Sequence, residues 1–502
     1  MIDFYSASIS LSFFIFIFLI AVSVYLSRTK EITADGFFFA RRNSPWLALG
    51  SSYITSWISG FFVLELIVPG QDNRLVIIGY GLMSALMMVI LGGAVGPLFL
   101  KMGISTLPEY FEKRFSRSSR FYLSALYVFC NVAIKLLVVL VLGGLLIGRV
   151  SHIDAFSLLL FTMVVAGIYV VIGGLKTQMY TSVLEGILIV VVLAILCFWI
   201  SGQKNSLPSP ISGAALGQQI HSGESLKAIE GWLFVVLPAV AFWFWGADQS
   251  ILQRVLSARS VSSLRRATTF HGILQVVPVV LLLVAGASFV PSFFYGKTIT
   301  GLFSGTALPN MLRFGLLLAL VSALMALFAD IFSSTSSLVT YDFYRSLRPS
   351  SSNRTLLLVG RMASIVLILC GILLIPVSQT LDFGFCLLLV RMFLYFAVLV
   401  SAVFAVSLMS KKISSLSVQS TLYIVSFVIL LRVAAEFVMY SEGMQTGFIS
   451  EMQAIGPIEF IGSIFLLSIV LMFVIQAFET TLRPAASFHR DHNTLSDNEK
   501  RT

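Results

Sequence analysis

Along most of the chain, long apolar runs alternate with short polar or basic connections. Residues 8–27 form the first run, about 20 residues long, the length a helix needs to cross a hydrocarbon core. Further runs at 44–69, 74–100, 120–148, 154–173, 178–200, 232–255, 268–290, 309–343, 355–375, 380–408, 418–440 and 456–478 bring the predicted spans to thirteen. A cleaved signal peptide is the rival reading of 8–27, because Ala21-Val22-Ser23 loosely resembles a cleavage site. The segment before it holds Asp3 and no basic residue, while Arg28, Lys30, Arg41 and Arg42 follow, so an uncleaved helix with its N-terminus outside is expected.

With this count, the connections that carry Arg41/Arg42, Lys113/Arg114/Arg117, Lys176, Arg259/Arg265/Arg266, Arg345/Arg348/Arg354 and Lys411/Lys412 fall on one side. The opposite connections hold only scattered basic residues such as Arg74, Lys204, Lys227 and Lys297. The basic side is therefore cytoplasmic, and the polar C-terminal tail is expected inside and without a fold of its own.

Composition agrees with this pattern: 58% of residues are apolar and 11% charged, which marks an integral membrane protein bathed in lipid. The net charge of +10 resides in loops beside apolar spans, so it reads as a topology signal and not as a nucleic-acid surface. Cys130, Cys197, Cys370 and Cys386 all lie within predicted spans without ligand spacing, which suits packing. No soluble domain is expected; the longest connections, 201–231 and 291–308, are external tethers or a cap over a vestibule. The chain has no HExxH, no Ser/His/Asp constellation and no phosphate loop, so no enzyme and no cofactor is expected.

Charges inside the spans carry the chemistry. Asp330 sits near the middle of the run from Phe314 to Arg345, followed by hydroxyls from Ser333 to Ser337. A carboxylate at that depth needs a partner, a cavity or a proton, so Asp330 is either a helix-contact group or an ion or proton site. Arg391 is likewise at membrane depth: it would clamp a solute carboxylate, or neutralise Asp330 or Glu65. Lys135, Arg361 and Arg432 suit snorkelling or helix contacts, Glu65 an outer gate, and His271 a proton relay or no special role.

Four stretches then coincide with a family pattern: LPEYFEKRFS at 107–116, YVVIGGLKTQMYTSVLEG at 169–186, WGADQSILQRVLSARSV at 245–261 and SSTSSLVTYDFYR at 333–345. Together they resemble the sodium/solute symporter family, whose members carry sugars, proline, pantothenate, sialic acid, monocarboxylates or halides. The likeness spans about 37 to 412.

The resemblance implies an all-α, LeuT-like membrane fold whose ten-helix core is two five-helix inverted repeats. On this chain, 1–43 would be an extra helix and cytoplasmic loop, 44–200 the first repeat, 201–231 an external loop, 232–408 the second repeat, 409–478 two extra helices and 479–502 a cytoplasmic tail. The first helix of each repeat should break near the midplane, at Ser59-Gly60 and near Pro238 and Gly246. Asp248 and Arg254 are expected to pair with loop charges or helix ends. Pro108, Glu109 and Arg114 belong to an interfacial helix, and Gly173-Gly174 permits a tight turn between spans.

Carried over by resemblance, a sodium ion would take carbonyls of Thr55, Ile58 and Ala323 and two hydroxyls at positions occupied here by Ala326 and Leu327. Neither side chain offers oxygen, so the usual sodium site should be weak or absent. An aspartate of many relatives corresponds to Ser182, which removes the charge of an auxiliary site. Glu185 and Asp330 lie about one turn from the vacated positions, so Asp330, with Glu185, is the expected proton site. If Ser333 or Thr335 reach in instead, sodium would bind in a displaced cage.

The implied solute pocket is lined by Trp57, Phe62, Ala241, Phe244, Gln275, Val390 and Arg391. A polyol would leave its hydroxyls unpaired there, which disfavours sugars. The expected function is an alternating-access symporter for a small carboxylate or amino acid, coupled to a proton or an atypically bound sodium ion, in a bacterial inner membrane. A receptor on the transporter fold, or an uncoupled facilitator, is the alternative, because the sodium hydroxyls are missing.

Overall fold

The computed structural model describes residues 33–67, 74–150, 154–202, 223–284, 309–442 and 455–482, with isolated positions 17, 21 and 25. Side chains are described for these apart from 58–67, 74–77, 149–150, 200–202, 223–230, 282–284, 310, 442 and 482. Among the described residues there is no strand, only one isolated bridge between Ser44 and Ala258.

The helices in chain order are α1 (Ala34–Phe39), α2 (Trp46–Ile67), α3 (Arg74–Ile90) continuing through a π-helical turn into α4 (Gly96–Met102), and α5 (Leu107–Arg114). Next come α6 (Arg117–Phe129), which passes through a π turn at Cys130–Lys135 into α7 (Leu136–Val150), and α8 (Ala155–Gly202). The second half holds α9 (Gly223–Phe242), a π turn at Trp243–Ala247, α10 (Gln249–Leu256), α11 (Val261–Leu274) and α12 (Val276–Val284). It ends with α13 (Asn310–Leu338), α14 (Asn353–Thr380), α15 (Phe383–Met409), α16 (Ser415–Glu442) and α17 (Pro457–Leu482).

Among the described residues, eight helical segments are long and apolar enough to cross a membrane, nine when the bent pair α9/α10 is counted as one span. This differs from the thirteen predicted spans for local reasons. The runs at 154–173 and 178–200 form the single helical element α8, hinged at Gly174, and the run at 8–27 lies outside the described residues except at positions 17, 21 and 25. The helices over 44–69 and 268–290 are described in part.

The hinge in α8 is the turn expected at Gly173-Gly174. Gly174 has φ 61° and ψ −154°, a backbone that L side chains avoid, and a Cβ there would stand 2.3 Å from the carbonyl oxygen of Phe37. Helix α1 can lie against the hinge only because that Cβ is missing. The short α5 starts with a side-chain cap, Thr106 Oγ1 accepting from Glu109 N at 3.2 Å, and Glu109 Oε2 reaches back to accept from Ser105 N, just before the cap, at 2.8 Å.

The two predicted breaks turn out differently. Helix α2 runs through Ser59 and Gly60 without interruption. An interior glycine costs about 1 kcal/mol relative to alanine but keeps its N–H, and α2 contains no proline to remove one. The second break forms at Gly246, inside the π turn, and at the extended residue Asp248 (φ −66°, ψ 130°), whereas Pro238 stays inside α9. There the chain bends by 46° into α10, which Asp248 caps.

Helix α15 is the most enclosed span, and α13 packs most extensively on α8. Helix α14 instead presents Leu358, Met362, Val366, Leu369, Leu373 and Val377 outward. Their spacing of three or four residues marks one face turned to lipid. The protein is a multi-pass membrane protein.

Candidate coupling and solute site

Asp330 lies on α13 where four helices converge. Arg254 Nη2, from α10, donates to its Oδ1 at 2.6 Å, and Gln178 Nε2, from α8, donates to the same oxygen at 2.5 Å. Ser56 Oγ, from α2, donates to Oδ2 at 3.4 Å. Arg254 is fully buried and also donates to the carbonyl of Ser52 at 3.2 Å and to Ser56 Oγ. The expectation that Arg254 pairs with loop charges or a helix end is corrected: its anion is Asp330, in the middle of a span. A guanidinium with five donors in a dry interior requires several acceptors; this junction provides them for Nη1 and Nη2, while Nε has none among the described residues.

The face of α8 that meets α13 is polar over two turns. Gln178, Ser182 and Glu185 follow one another at spacings of four and three residues, and all are buried. Glu185 Oε1 receives a long 3.5 Å contact from the Tyr169 hydroxyl, which also donates to the carbonyl of Met325 at 3.3 Å. Among the described residues, Gln178 Oε1, Ser182 Oγ and Glu185 Oε2 have no hydrogen-bond partner. Asp330 is thus saturated with donors, whereas Glu185, in the same interface, is not.

The side chains at the implied sodium cage are buried or apolar where they are described. Thr55 is buried with its hydroxyl turned back to the carbonyl of Ser52 at 3.3 Å, and the side chain of Ile58 lies outside the described residues. Ala326 is buried, while Ala323 and Leu327 pack against the two apolar clusters. The hydroxyl run is also committed elsewhere. Ser333 contacts Gln253 Oε1 at 3.5 Å, Ser334 donates to the carbonyl of Asp330 at 2.6 Å, and Thr335 accepts from Asn131 Nδ2 at 3.0 Å.

A second charged junction lies at the bend. Lys135 Nζ donates to Asp248 Oδ2 at 2.6 Å, while Asp248 Oδ1 accepts from Ser250 N at 2.8 Å and Ser250 Oγ at 2.7 Å. Lys135 also stands 5.0 Å from the centre of the Phe393 ring. Tyr127 donates to the carbonyl of Ala247 at 2.6 Å and stacks on Trp243 at 5.2 Å. Of the roles expected for Lys135, the helix contact is the one found, made to Asp248, and Asp248 meets a helix end, as expected, by capping α10. The sequence signal was there, a lysine inside a 32-residue apolar segment, but its partner is 113 residues away.

The predicted solute-lining residues are only partly gathered. Phe244 faces Phe393 at 6.3 Å, close to Lys135, and Trp57 packs on Tyr80 at 5.8 Å. Ala241 and Val390 are buried in the core, and Gln275 is taken up by Ser84 (2.9 Å) and the carbonyl of Gly81 (3.4 Å). The side chains of Phe62 and Glu65 lie outside the described residues. Arg391 pairs neither with Asp330 nor with the aromatic group: its nearest carboxylate is Glu436 Oε2 at 3.9 Å, on α16. Two residues along a helix amount to about 200°, so Arg391 and Phe393 are on opposite faces of α15. Arg432 completes that peripheral cluster through Glu436 Oε1 at 2.7 Å and the carbonyl of Ile455 at 3.0 Å. His271 is buried between Tyr53 and Trp245, at 5.6 and 5.2 Å between ring centres, and not at an interface.

The profile described as "Sodium:solute symporter family" matches residues 37–417. The chain belongs to this family. Sodium/glucose cotransporter 1 of Oryctolagus cuniculus is 27% identical over 425 residues, which cover 76% of this chain and 64% of that protein. Sodium/glucose cotransporter 2 of Rattus norvegicus is 27% identical over 71% of this chain and 60% of its own length. This chain thus spans a little under two thirds of these curated relatives. A solved structure of a Na+-coupled sialic acid symporter in a substrate-bound outward-open state superposes with a TM-score of 0.71 at 18% identity, covering 94% of this chain and 97% of that one. The fold is the LeuT-like one of that symporter.

Proposed function

We propose that this member of the family is a secondary active symporter for a small carboxylate or amino acid, driven by protons through the α8/α13 interface. The observation that carries the coupling is the contrast between its two carboxylates. Asp330 receives Arg254, Gln178 and Ser56, all of which favour the ionised form, so it acts as a fixed counter-charge. Glu185 is buried with one long contact and a free Oε2, so it takes the coupling proton. Protonation there neutralises a charge that the interface otherwise holds in low dielectric, and it changes how α8 and α13 can slide past each other.

The solute class follows from what the centre lacks. Ala241 and Val390 offer no polar group and Gln275 is already bonded, so a sugar would lose hydrogen bonds to water without replacement. The two inverted repeats, 44–200 and 232–408, are the bodies that rock about this site, in a bacterial inner membrane with the C-terminus cytoplasmic. A second reading has support: Gln178 Oε1, Ser182 Oγ and Glu185 Oε2 have no hydrogen-bond partner among the described residues and lie on successive turns, a donor set that suits a displaced sodium ion.

Solute-evoked proton entry into proteoliposomes, read with a pH dye in the lumen, separates the two. A proton-coupled carrier acidifies the lumen when solute is added in sodium-free buffer, whether or not net charge moves. Solute accumulation that needs sodium and brings no acidification favours the second reading, and binding of solute without flux favours a receptor.

A further inference from the structure

The Lys135–Asp248 pair has a geometry that helix packing alone does not require. Lys135 ends the π turn between α6 and α7, near the middle of the span Arg117–Gly148, and Asp248 is the extended residue at the bend between α9 and α10. The two irregular turns face each other, and the ring of Phe393 on α15 closes the third side. Irregular backbone and π turns in membrane helices are tolerated where they line a binding site. Asp248 is almost buried, with 9% of its side chain accessible, whereas Lys135 keeps 24%. Among the described residues, Asp248 is the one hydrogen-bond acceptor of Lys135, so two of its three N–H bonds are open to a ligand.

We propose that this ion pair is the solute seat, and that its occupant is a zwitterionic amino acid that enters by exchanging partners. Charge balance selects this class. A neutral ion pair that admits a neutral zwitterion becomes two ion pairs: solute carboxylate on Lys135, solute ammonium on Asp248. A simple carboxylate would leave one net negative charge in low dielectric, because Asp248 would lose its cation, and a simple amine would leave one net positive charge. A sugar would gain nothing from either group that repays breaking the 2.6 Å contact.

The exchange also has a mechanical consequence. Among the described residues, Lys135 and the Tyr127 hydroxyl are the two polar ties from the α6/α7 segment to the bend. When the solute takes Lys135, one tie is replaced by a longer bridge through the solute, while Asp248 Oδ1 keeps its cap on Ser250. Helix α10 then moves as an intact, capped unit, and α10 also carries Arg254, which holds Asp330. Solute binding at the bend and the charge junction on α13 are therefore linked through one short helix.

This inference rests on the reading of the chain as a solute carrier, but it is tested without transport. Thermal unfolding of the purified full chain would be followed with a panel of L-amino acids, each beside the 2-hydroxy acid and the amino alcohol of the same side chain. The expected result is stabilisation by at least one amino acid, with its hydroxy acid and amino alcohol about tenfold or more weaker, the size of one lost charge-assisted bond. Lys135→Gln should lose the amino-acid response, Lys135→Arg should keep part of it, and Asp248→Asn should erase the preference for the amino acid over its hydroxy acid. A wild type that is stabilised by no amino acid, or as well by the hydroxy acid, overturns the proposal, as does an Asp248→Asn protein with the preference intact. Where the preference holds but proton gradients have no effect on uptake, the seat stands and the coupling reading falls.

Discussion

Arg254 and Asp330 are 76 residues apart in the chain and 2.6 Å apart in the fold, with the guanidinium entirely out of solvent and the carboxylate 15% accessible. They join α10, the short arm after the bend, to the middle of α13. A pair in this position is better understood by what happens when half of it is removed than by what it adds. Desolvating two charges nearly cancels their attraction, whereas an orphaned buried guanidinium has no compensation.

The first prediction follows directly. Asp330→Ala should destabilise the protein by about 3–5 kcal/mol, because it strands Arg254. The double variant Arg254→Met/Asp330→Leu should lose clearly less than the sum of the single changes. Thermal unfolding in detergent for the full cycle checks this; additive losses would mean that the pair is not coupled.

Gly174 gives a second prediction. Alanine there must adopt φ 61° and place its Cβ 2.3 Å from the Phe37 carbonyl, so either α1 or the hinge has to move. The strained backbone alone costs about 1–3 kcal/mol, and the clash adds to it. Gly174→Ala should lower the melting temperature and the yield of monodisperse protein, whereas Gly144→Ala, which meets only ordinary contact at 3.6 Å, should do neither.

A third prediction concerns sodium. Ala326→Ser with Leu327→Ser restores hydroxyls at the two positions where the resemblance places them. The double variant should acquire stabilisation by sodium over potassium that the wild type lacks. A wild type already stabilised by millimolar sodium would show that other oxygens, such as Ser182 Oγ and Gln178 Oε1, form a cage.

Much of this arrangement could be read from the chain because membrane helices are long, apolar and marked by their few charges. The four motifs pointed to the family, Gly173-Gly174 to the turn in α8, and Asp330 to a polar group needing a partner. What the sequence withheld were the pairings. A charge inside a span announces that a partner exists, but Lys135 and Asp248 are 113 residues apart, and only the packing of α6, α7 and α10 brings them together. Arg391 illustrates the converse: its depth suggested the solute, but the register of α15 turns it to Glu436, away from the face of Phe393. The uninterrupted α2 shows that Ser59-Gly60 permits a break without enforcing one.

The solute seat predicts that Asp248→Asn weakens exchange and accumulation together. The bend would keep its cap, since asparagine also caps helices, but would lose the ionic partner of Lys135 and of the solute ammonium. Counterflow exchange of the amino acid should need about tenfold or more solute in this variant, as expected when one charge-assisted bond worth about 1.4 kcal/mol or more is removed from the bound state. Exchange at the wild-type concentration would contradict the seat.

Proton coupling at Glu185 is the central claim, and concentrative uptake in proteoliposomes with imposed proton and sodium gradients, comparing wild type with Glu185→Gln, tests it most directly. Glutamine keeps the shape of the side chain but cannot release a proton, so the account predicts accumulation driven by the proton gradient in the wild type and only gradient-independent exchange in the variant. Accumulation by Glu185→Gln that still follows the proton gradient, or wild-type accumulation that follows sodium alone, would contradict it.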